Sequence, residues 1–312
     1  MKKLLSIIVS IFFLNISAQN NKSMKETLQP YHFPTQFLKL DEGEIAYVKE
    51  GKGKETLLFV HGLSSNADAW YRNIEELKKD FTCIAIDLPG YGKSYKNAEN
   101  LTATYFTEII RKFTEELKIK NFTLVGHSMG GQAAIKFAAK YPEKLDKLIL
   151  VAPAGIEKFT PYEGAAMKMV MKQSTIMATT PEQIDRNYQL NFFKMPPEAE
   201  RMITDRKNII NASDFDLHAL AIENSVKGML DDTVTEDFPK IKTPTLFLFA
   251  KNDMLIPNKY FHPLLTIYQV AEEAKTLVKN SKLVMIDEAG HFLQFEKPAE
   301  VNKEIKAFVN CK

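Results

Sequence analysis

Residues 124–131 read LVGHSMGG, and this stretch decides the fold. The apolar run that begins at residue 122 predicts a buried strand, and the residues after Gly130 predict a helix. Gly126 and Gly130 flank Ser128 and let the two backbones approach each other closely. The pattern G-x-S-x-G between a strand and a helix is typical of an exposed serine nucleophile. The alternative is that Ser128 belongs to an ordinary strand–helix turn.

Strand and helix patterns alternate on both sides of this stretch. Continuous apolar runs predict strands buried on both faces at residues 55–60, 81–87, 122–126, 145–153, 243–250 and 281–287. Helical spacing of apolar residues lies between them, most clearly at residues 102–118. This alternation predicts an α/β fold with a mostly parallel sheet and helices on both faces. We assign residues 35–154 and 238–312 to this core.

Residues 155–237 interrupt the alternation. Continuous apolar strands are absent there, and prolines break a helical pattern at Pro181 and at residues 196–197. We expect an inserted helical lid over the carboxyl edge of the sheet, where open α/β sheets place their ligands. Its flexible and aromatic side chains either line a pocket for acyl chains or pack the lid on the core: Met167, Met169, Met171, Met177, Met195, Met202, Met229, Tyr188, Phe192 and Phe193.

The first 34 residues form a separate region. Residues 1–18 combine two lysines, an apolar segment and small residues, which predicts a signal peptide cleaved after Ala18 and export to the periplasm or beyond. The apolar segment is shorter than the roughly 20 residues that span a bilayer, so a retained anchor is the weaker alternative. We expect no integral membrane segment after cleavage. Residues 19–34 are polar with interspersed prolines and predict an extended arm.

Charge and motifs limit the partners of the chain. Removal of Lys2 and Lys3 from the 41 basic residues leaves 39, against 39 acidic residues. A neutral chain does not favour nucleic acid as a partner. The sequence contains no His/Cys/Asp/Glu cluster with metal spacing and no phosphate-binding loop. We therefore expect a small-molecule substrate with no cofactor and no metal; the oligomeric state stays open.

A serine hydroxyl needs a base to act as a nucleophile near neutral pH. Among six histidines, His291 follows the last apolar strand and therefore emerges at the same sheet edge as Ser128. His127 adjoins the serine, but we expect its ring to point elsewhere on the turn. The sequence therefore predicts His291 as the base.

The base in turn needs a carboxylate that fixes its tautomer. Asp253 follows the buried strand at residues 243–250 and reaches the same edge of the sheet. Asp287 and Glu288, just before His291, are rivals. We predict that Asp253 fills this role.

Negative charge on a carbonyl oxygen in the transition state needs N–H donors. The residue after the nucleophile, Met129, supplies one candidate N–H at the start of a helix. The loop after residues 56–62, TLLFVHG, supplies the other, which we assign to Leu63. His61 is expected to be structural.

Nearly the whole chain after residue 18 resembles the α/β-hydrolase fold superfamily. The matching stretches, in order, are FVHGLSSNADAW, DLPGYGKS, LVGHSMGGQAA, LVAPAG, KNDMLIP and AGHFLQFEKP. The resemblance implies Ser128, Asp253 and His291 as the catalytic triad, with Leu63 and Met129 as oxyanion donors. Within the superfamily, the chain most resembles monoacylglycerol lipase-like enzymes and carboxylesterases. It also resembles hydrolases of ring-fission products.

The expected activity is hydrolysis of small to medium carboxylic esters through an acyl-enzyme. Three alternatives stay open: carbon–carbon cleavage of ring-fission products, hydrolysis of amides or peptides, and a binding module without activity, since a fold does not fix a function.

Overall fold

The computed structural model describes residues 22–311, in which eight strands form one sheet. The order across the sheet is β1-β2-β4-β3-β5-β6-β7-β8. The first two strands run antiparallel to their neighbours and the other neighbours pair in parallel. The predicted fold class is confirmed. The strands are β1 (Thr35–Lys39), β2 (Glu44–Glu50), β3 (Thr56–Val60), β4 (Thr82–Ile86), β5 (Phe122–His127), β6 (Leu145–Val151), β7 (Thr245–Ala250) and β8 (Ser281–Ile286).

Helices cover both faces of the sheet. Buried side chains of α3, α4 and α10 share one apolar cluster with the strands, and those of α2 and α12 share a second cluster on the opposite face. The helices are α1 (Met24–Thr27), α2 (Tyr71–Leu77), α3 (Ala103–Glu116), α4 (Met129–Lys140), α5 (Pro161–Val170), α6 (Gln173–Met177), α7 (Pro181–Gln189), α8 (Glu200–Ile209), α9 (Phe215–Asp231), α10 (Ile267–Leu277), α11 (Leu293–Glu296) and α12 (Pro298–Asn310).

The central strands are buried on both faces because their side chains alternate between the two clusters. In β3, Leu58 and Val60 belong to the α3–α4 side, whereas Leu57 and Phe59 belong to the α2–α12 side. Successive residues of a strand point to opposite faces, so a strand covered on both sides must be apolar throughout. This is why the continuous apolar runs located the strands correctly.

The turn between β5 and α4 depends on two glycines. A Cβ on Gly126 would lie 2.5 Å from the Gly130 carbonyl oxygen, and a Cβ on Gly130 would lie 2.5 Å from the His61 carbonyl oxygen. Both contacts are with backbone, which cannot rotate away. The glycines therefore let helix α4 pass directly over strands β3 and β5.

Alanine at two helical glycines should have opposite effects on stability. Gly130→Ala is expected to lower the free energy of unfolding by roughly 3 kcal/mol, since the new methyl group clashes with the backbone of His61. Gly164→Ala in α5 places its methyl in open space and should raise the free energy of unfolding by about 0.5–1 kcal/mol. Urea titrations of both variants measure the difference. A Gly130→Ala variant as stable as the native chain would contradict the assigned turn geometry.

Five helices, α5 to α9, lie between β6 and β7, within the residues 155–237 that we predict to be a lid. Helix α9 packs on α5 and α6, and α7 packs on α8. Thr160 and Thr180 cap α5 and α7, each with a proline at the next position. Pro181, which interrupts the sequence pattern, thus begins a helix. That this segment opens and closes as a lid stays a prediction.

The arm predicted to be extended contains one helical turn, α1, and this corrects the expectation for residues 19–34. The Ser23 N–H and hydroxyl both donate to Glu26, forming the capping interaction that starts the turn. Met24 is only 1% exposed because it packs into a cluster with Ile209 and Phe215 beside the lid helices. The sequence did not reveal this helical turn because only Met24 is buried in it and its other three residues are polar.

The predicted signal peptide, residues 1–18, lies outside the described residues, and its cleavage stays a prediction. Within residues 22–311, every helix falls short of the combination of length and apolar character that a membrane crossing requires.

Candidate active site

Ser128 occupies a strained position between β5 and α4. Its backbone angles are φ 52° and ψ −117°, a region that side chains other than glycine rarely adopt. The Ser128 N–H donates to the Val151 carbonyl at 3.0 Å, and the Ser128 carbonyl accepts from the Gln132 and Ala154 N–H groups. These bonds hold the sharp turn. The hydroxyl consequently stands at the carboxyl edge of the sheet and is half-buried.

The structure brings the three predicted triad side chains into one hydrogen-bonded chain. His291 Nε2 lies 3.0 Å from Ser128 Oγ, and His291 Nδ1 lies 2.8 Å from Asp253 Oδ2. With Nδ1–H donated to the carboxylate, the Nε2 lone pair faces the serine hydroxyl. Asp253 and His291 are both buried. This arrangement can withdraw the Ser128 proton and stabilise the resulting imidazolium.

Asp253 is oriented by the loop that follows β7. Its second oxygen, Oδ1, accepts the N–H groups of Leu255 at 2.8 Å and Ile256 at 3.0 Å. The rivals lie elsewhere: Asp287 pairs with Lys251 and its side chain is 70% exposed, and Glu288 is comparably exposed. Only Asp253, of the three candidates, contacts His291.

His127 points away from Ser128 Oγ, yet its ring contacts His291. Its Nε2–H donates to the His291 carbonyl oxygen at 3.0 Å, and the two rings lie 4.9 Å apart. From the lid side, the Asn191 carbonyl accepts the N–H of Phe292 at 2.9 Å. The His291 loop is therefore fixed from two directions. Sequence reasoning missed this positioning contact, although His127 directly precedes Ser128.

The loop carrying Leu63 lies against Ser128. A Cβ on Gly62 would be only 3.1 Å from the Ser128 Cβ, so the backbone passes directly over the serine. His61 Nδ1–H donates to the Gly62 carbonyl at 2.7 Å, and His61 Nε2 accepts the Leu88 N–H at 3.0 Å. In a trans peptide the C=O and the next N–H point in opposite directions. His61 therefore turns the Leu63 N–H away from itself.

The two predicted oxyanion donors have unused N–H groups. Among the described residues, no hydrogen bond is found for the backbone N–H of Leu63 or Met129. Met129 is the first residue of α4, where helix N–H groups lack internal acceptors and the helix dipole favours negative charge. Their role as an oxyanion hole stays a prediction.

Two buried neutral histidines should make the protein less stable in acid. Burial lowers the pKa of His61 to about 4 and that of His218 to about 3. Below the unfolded value of about 6.5, only the unfolded chain takes up these protons, so acid favours unfolding. We expect each histidine to remove about 2 kcal/mol of unfolding free energy between pH 7 and pH 5. Urea titrations at both pH values measure this loss.

The His218→Asn variant isolates the contribution of His218. Its unfolding free energy should fall by about 2 kcal/mol less than that of the native chain over the same pH range. An identical loss in both proteins would show that His218 does not contribute.

A cavity of about 560 Å³ adjoins the site beneath the lid helices. Leu63 and Phe292 line it, and these residues neighbour the candidate oxyanion loop and His291. Of the lid residues singled out in the sequence, Met171, Met202 and Tyr188 line the cavity. The others divide between packing and exposure: Phe192 is buried against Phe292, whereas Met169 is 73% exposed.

No group of three or more His, Cys, Asp or Glu side chains within residues 22–311 is placed to hold a metal ion.

The sheet order, the strained serine turn and the helices inserted between β6 and β7 are those of an α/β-hydrolase fold. The family model for this fold matches residues 55–298, and the chain belongs to this family. The predicted superfamily is confirmed.

Three known proteins illustrate the similarity. Monoacylglycerol lipase ABHD6 of Mus musculus is 28% identical over 272 residues, 82% of this chain and 76% of the relative. A 2-hydroxy-6-oxononadienedioate/2-hydroxy-6-oxononatrienedioate hydrolase of Paraburkholderia phymatum is 25% identical over 287 residues, 86% and 91% of the two chains. The structure of a probable hydrolytic enzyme of Pseudomonas aeruginosa PAO1 has a TM-score of 0.82 at 21% identity and covers 94% of this chain and 99% of its own, which supports the fold.

Proposed function

We propose that this protein is a serine hydrolase that cleaves carboxylic esters of small to medium size. The observation that carries the proposal is the hydrogen-bonded chain from Ser128 through His291 to Asp253. The similarity to a monoacylglycerol lipase supports an ester substrate. The cavity beside the site has mixed apolar and polar walls and a volume within the range of small-molecule pockets.

The proposed reaction has two halves. His291 Nε2 takes the hydroxyl proton as Ser128 attacks the ester carbonyl, and Asp253 stabilises the imidazolium. The N–H groups of Leu63 and Met129 bind the oxyanion, and the imidazolium then protonates the departing alcohol. In the second half His291 removes a proton from water as the water attacks the acyl-enzyme. His291 then returns the proton to Ser128 Oγ as the acid leaves. The proposal assigns each of these roles to a group at the carboxyl edge of the sheet.

A fluorophosphonate probe and a substrate panel test this proposal together. The probe should add covalently to Ser128, as read by peptide mass spectrometry, because it reacts with activated serines. The panel contains 4-nitrophenyl esters of increasing acyl length, the matching anilide and a ring-fission dienone. We expect ester cleavage to dominate. Absence of both labelling and turnover would contradict a serine hydrolase and favour a binding module.

Carbon–carbon cleavage is the second candidate because one relative is named as a hydrolase of ring-fission products. Preferential turnover of the dienone in the panel would replace the ester proposal with this one, on the same three residues.

A further inference from the structure

Arg206, on helix α8, presents an unpaired cation to the cavity beneath the lid. Its Nη1 atom is inaccessible to solvent and has no hydrogen-bond partner. Its guanidinium lies over the Phe215 ring at 5.1 Å, and burial lowers its pKa. No carboxylate among the described residues lies within ion-pair distance of it. The side chain as a whole is half-buried. A cation that has lost part of its hydration and has no carboxylate partner is stabilised when a ligand supplies a negative charge.

The nearby acids are already engaged. Asp68 pairs with His32 at 2.8 Å and lies 3.7 Å from Arg201, so the second arginine of the cavity has its counter-charge. Asp205 accepts two hydrogen bonds from Gln29, and burial raises its pKa. Arg206 therefore keeps an uncompensated positive charge.

The other polar groups around Arg206 are neutral. Tyr188 donates its hydroxyl hydrogen to the Met202 carbonyl at 3.3 Å, and burial raises the Tyr188 pKa to about 12. His218 Nδ1–H donates to the Gly90 carbonyl at 2.8 Å, which leaves the buried Nε2 lone pair without a donor. Arg206 and His218 both contact Phe215. An oxyanion in the cavity beside the Arg206 guanidinium would supply the missing negative charge.

Apolar side chains form part of the wall of this cavity. Met171, Ile176, Ile184 and Ile222 line the same cavity as Arg206, Leu63 and Phe292. Leu63 and Phe292 neighbour the candidate catalytic site. A ligand that extends from this site to Arg206 therefore contacts apolar side chains as well as a cation.

We propose that Arg206 binds an oxyanion at the far end of the substrate, so that the preferred esters carry a carboxylate or phosphate separated from the scissile bond by an apolar chain. This inference rests on the proposed ester hydrolysis and narrows its substrate class. Arg206 provides specificity by supplying the only cation in the described part of the cavity that no protein carboxylate neutralises.

A charged and an uncharged ester with the same six-carbon acyl chain test the proposal. Mono-4-nitrophenyl adipate and 4-nitrophenyl hexanoate are compared by kcat/KM in the native chain and in Arg206→Met. We expect the adipate-to-hexanoate ratio to fall on the order of 30-fold or more, because the variant removes the partner of a buried charge. Arg206→Lys should recover part of the ratio. A ratio that changes less than about threefold in Arg206→Met overturns the proposal.

Arg186→Met is the matched control, since Arg186 is exposed on lid helix α7 and does not line the cavity. It should leave the ratio unchanged. An equal fall in Arg186→Met and Arg206→Met would attribute the effect to general charge and overturn a specific site. Thermal melting checks that each variant is folded. If Arg206→Met is unfolded, the comparison uses Arg206→Lys instead.

Binding to the inactive protein separates this inference from the proposed function. Calorimetry with Ser128→Ala uses adipate and hexyl phosphate as anions and hexanol as the uncharged control. Binding of either anion that is lost when Arg206→Met is added supports the site even if no ester is hydrolysed. The anion that binds more tightly identifies the kind of oxyanion, carboxylate or phosphate. Ester hydrolysis without anion binding overturns the inference and leaves the proposed function intact. Absence of both ester hydrolysis and anion binding contradicts the proposed function and this inference alike.

Discussion

Replacement of Ser128 by alanine is expected to lower kcat/KM for an ester substrate by roughly 10⁵-fold or more. Alanine keeps the Cβ, so the unusual φ of 52° is no more strained than in the native chain. What disappears is the hydroxyl 3.0 Å from His291 Nε2. Initial rates with a 4-nitrophenyl ester, and loss of fluorophosphonate labelling, measure the effect.

Ser174→Ala is the control for this variant, because Ser174 is an exposed serine on lid helix α6. It should retain full activity and labelling. Residual activity of Ser128→Ala within tenfold of the native chain would show that another group is the nucleophile.

Replacement of Asp253 by asparagine is expected to lower kcat/KM by about 10⁴-fold with the fold preserved. The amide oxygen can still accept the N–H groups of Leu255 and Ile256 that now bond Oδ1. The amide NH₂ then faces His291 Nδ1 and favours the tautomer protonated at Nε2. In that tautomer Nε2 has no lone pair to accept the proton of Ser128.

Asp287→Asn provides the matched control, because Asp287 is the rival acid and lies outside the site. We expect less than a twofold change in kcat/KM. Activity that survives in Asp253→Asn but is lost in Asp287→Asn would reverse the assignment. Circular dichroism of both variants verifies that they are folded.

The fold class could be predicted from the sequence because the alternation of apolar strand patterns with helical patterns is repeated many times along the chain. Each central strand must be apolar on both faces, and Gly126 and Gly130 mark the close approach of strand and helix. The one-turn helix α1 was missed because a single side chain, Met24, is buried in it. Such an element depends on tertiary contacts rather than on a periodic pattern.

The sequence also indicated which side chains meet at the site, since parallel strands deliver their following loops to one edge. It could not show the supporting contacts. The His127 hydrogen bond to the His291 carbonyl depends on a ring orientation that the turn determines. The exposure of Arg206 to the cavity depends on how α8 packs against its neighbours, and the sequence of α8 alone reads as a mostly polar helix.

The short segment before the first strand has a consequence for any shortened version of this protein. The Met24 N–H donates to Asp214 at 2.6 Å, and the Lys22 carbonyl accepts the Ser213 N–H at 2.9 Å. A chain that starts at Thr35 would keep all eight strands and the triad but leave this side of α8 and α9 uncovered. Met24 and Leu28 also form part of the cavity wall. Trimming to the catalytic core would thus open the pocket from the amino-terminal side and change which ligands it retains.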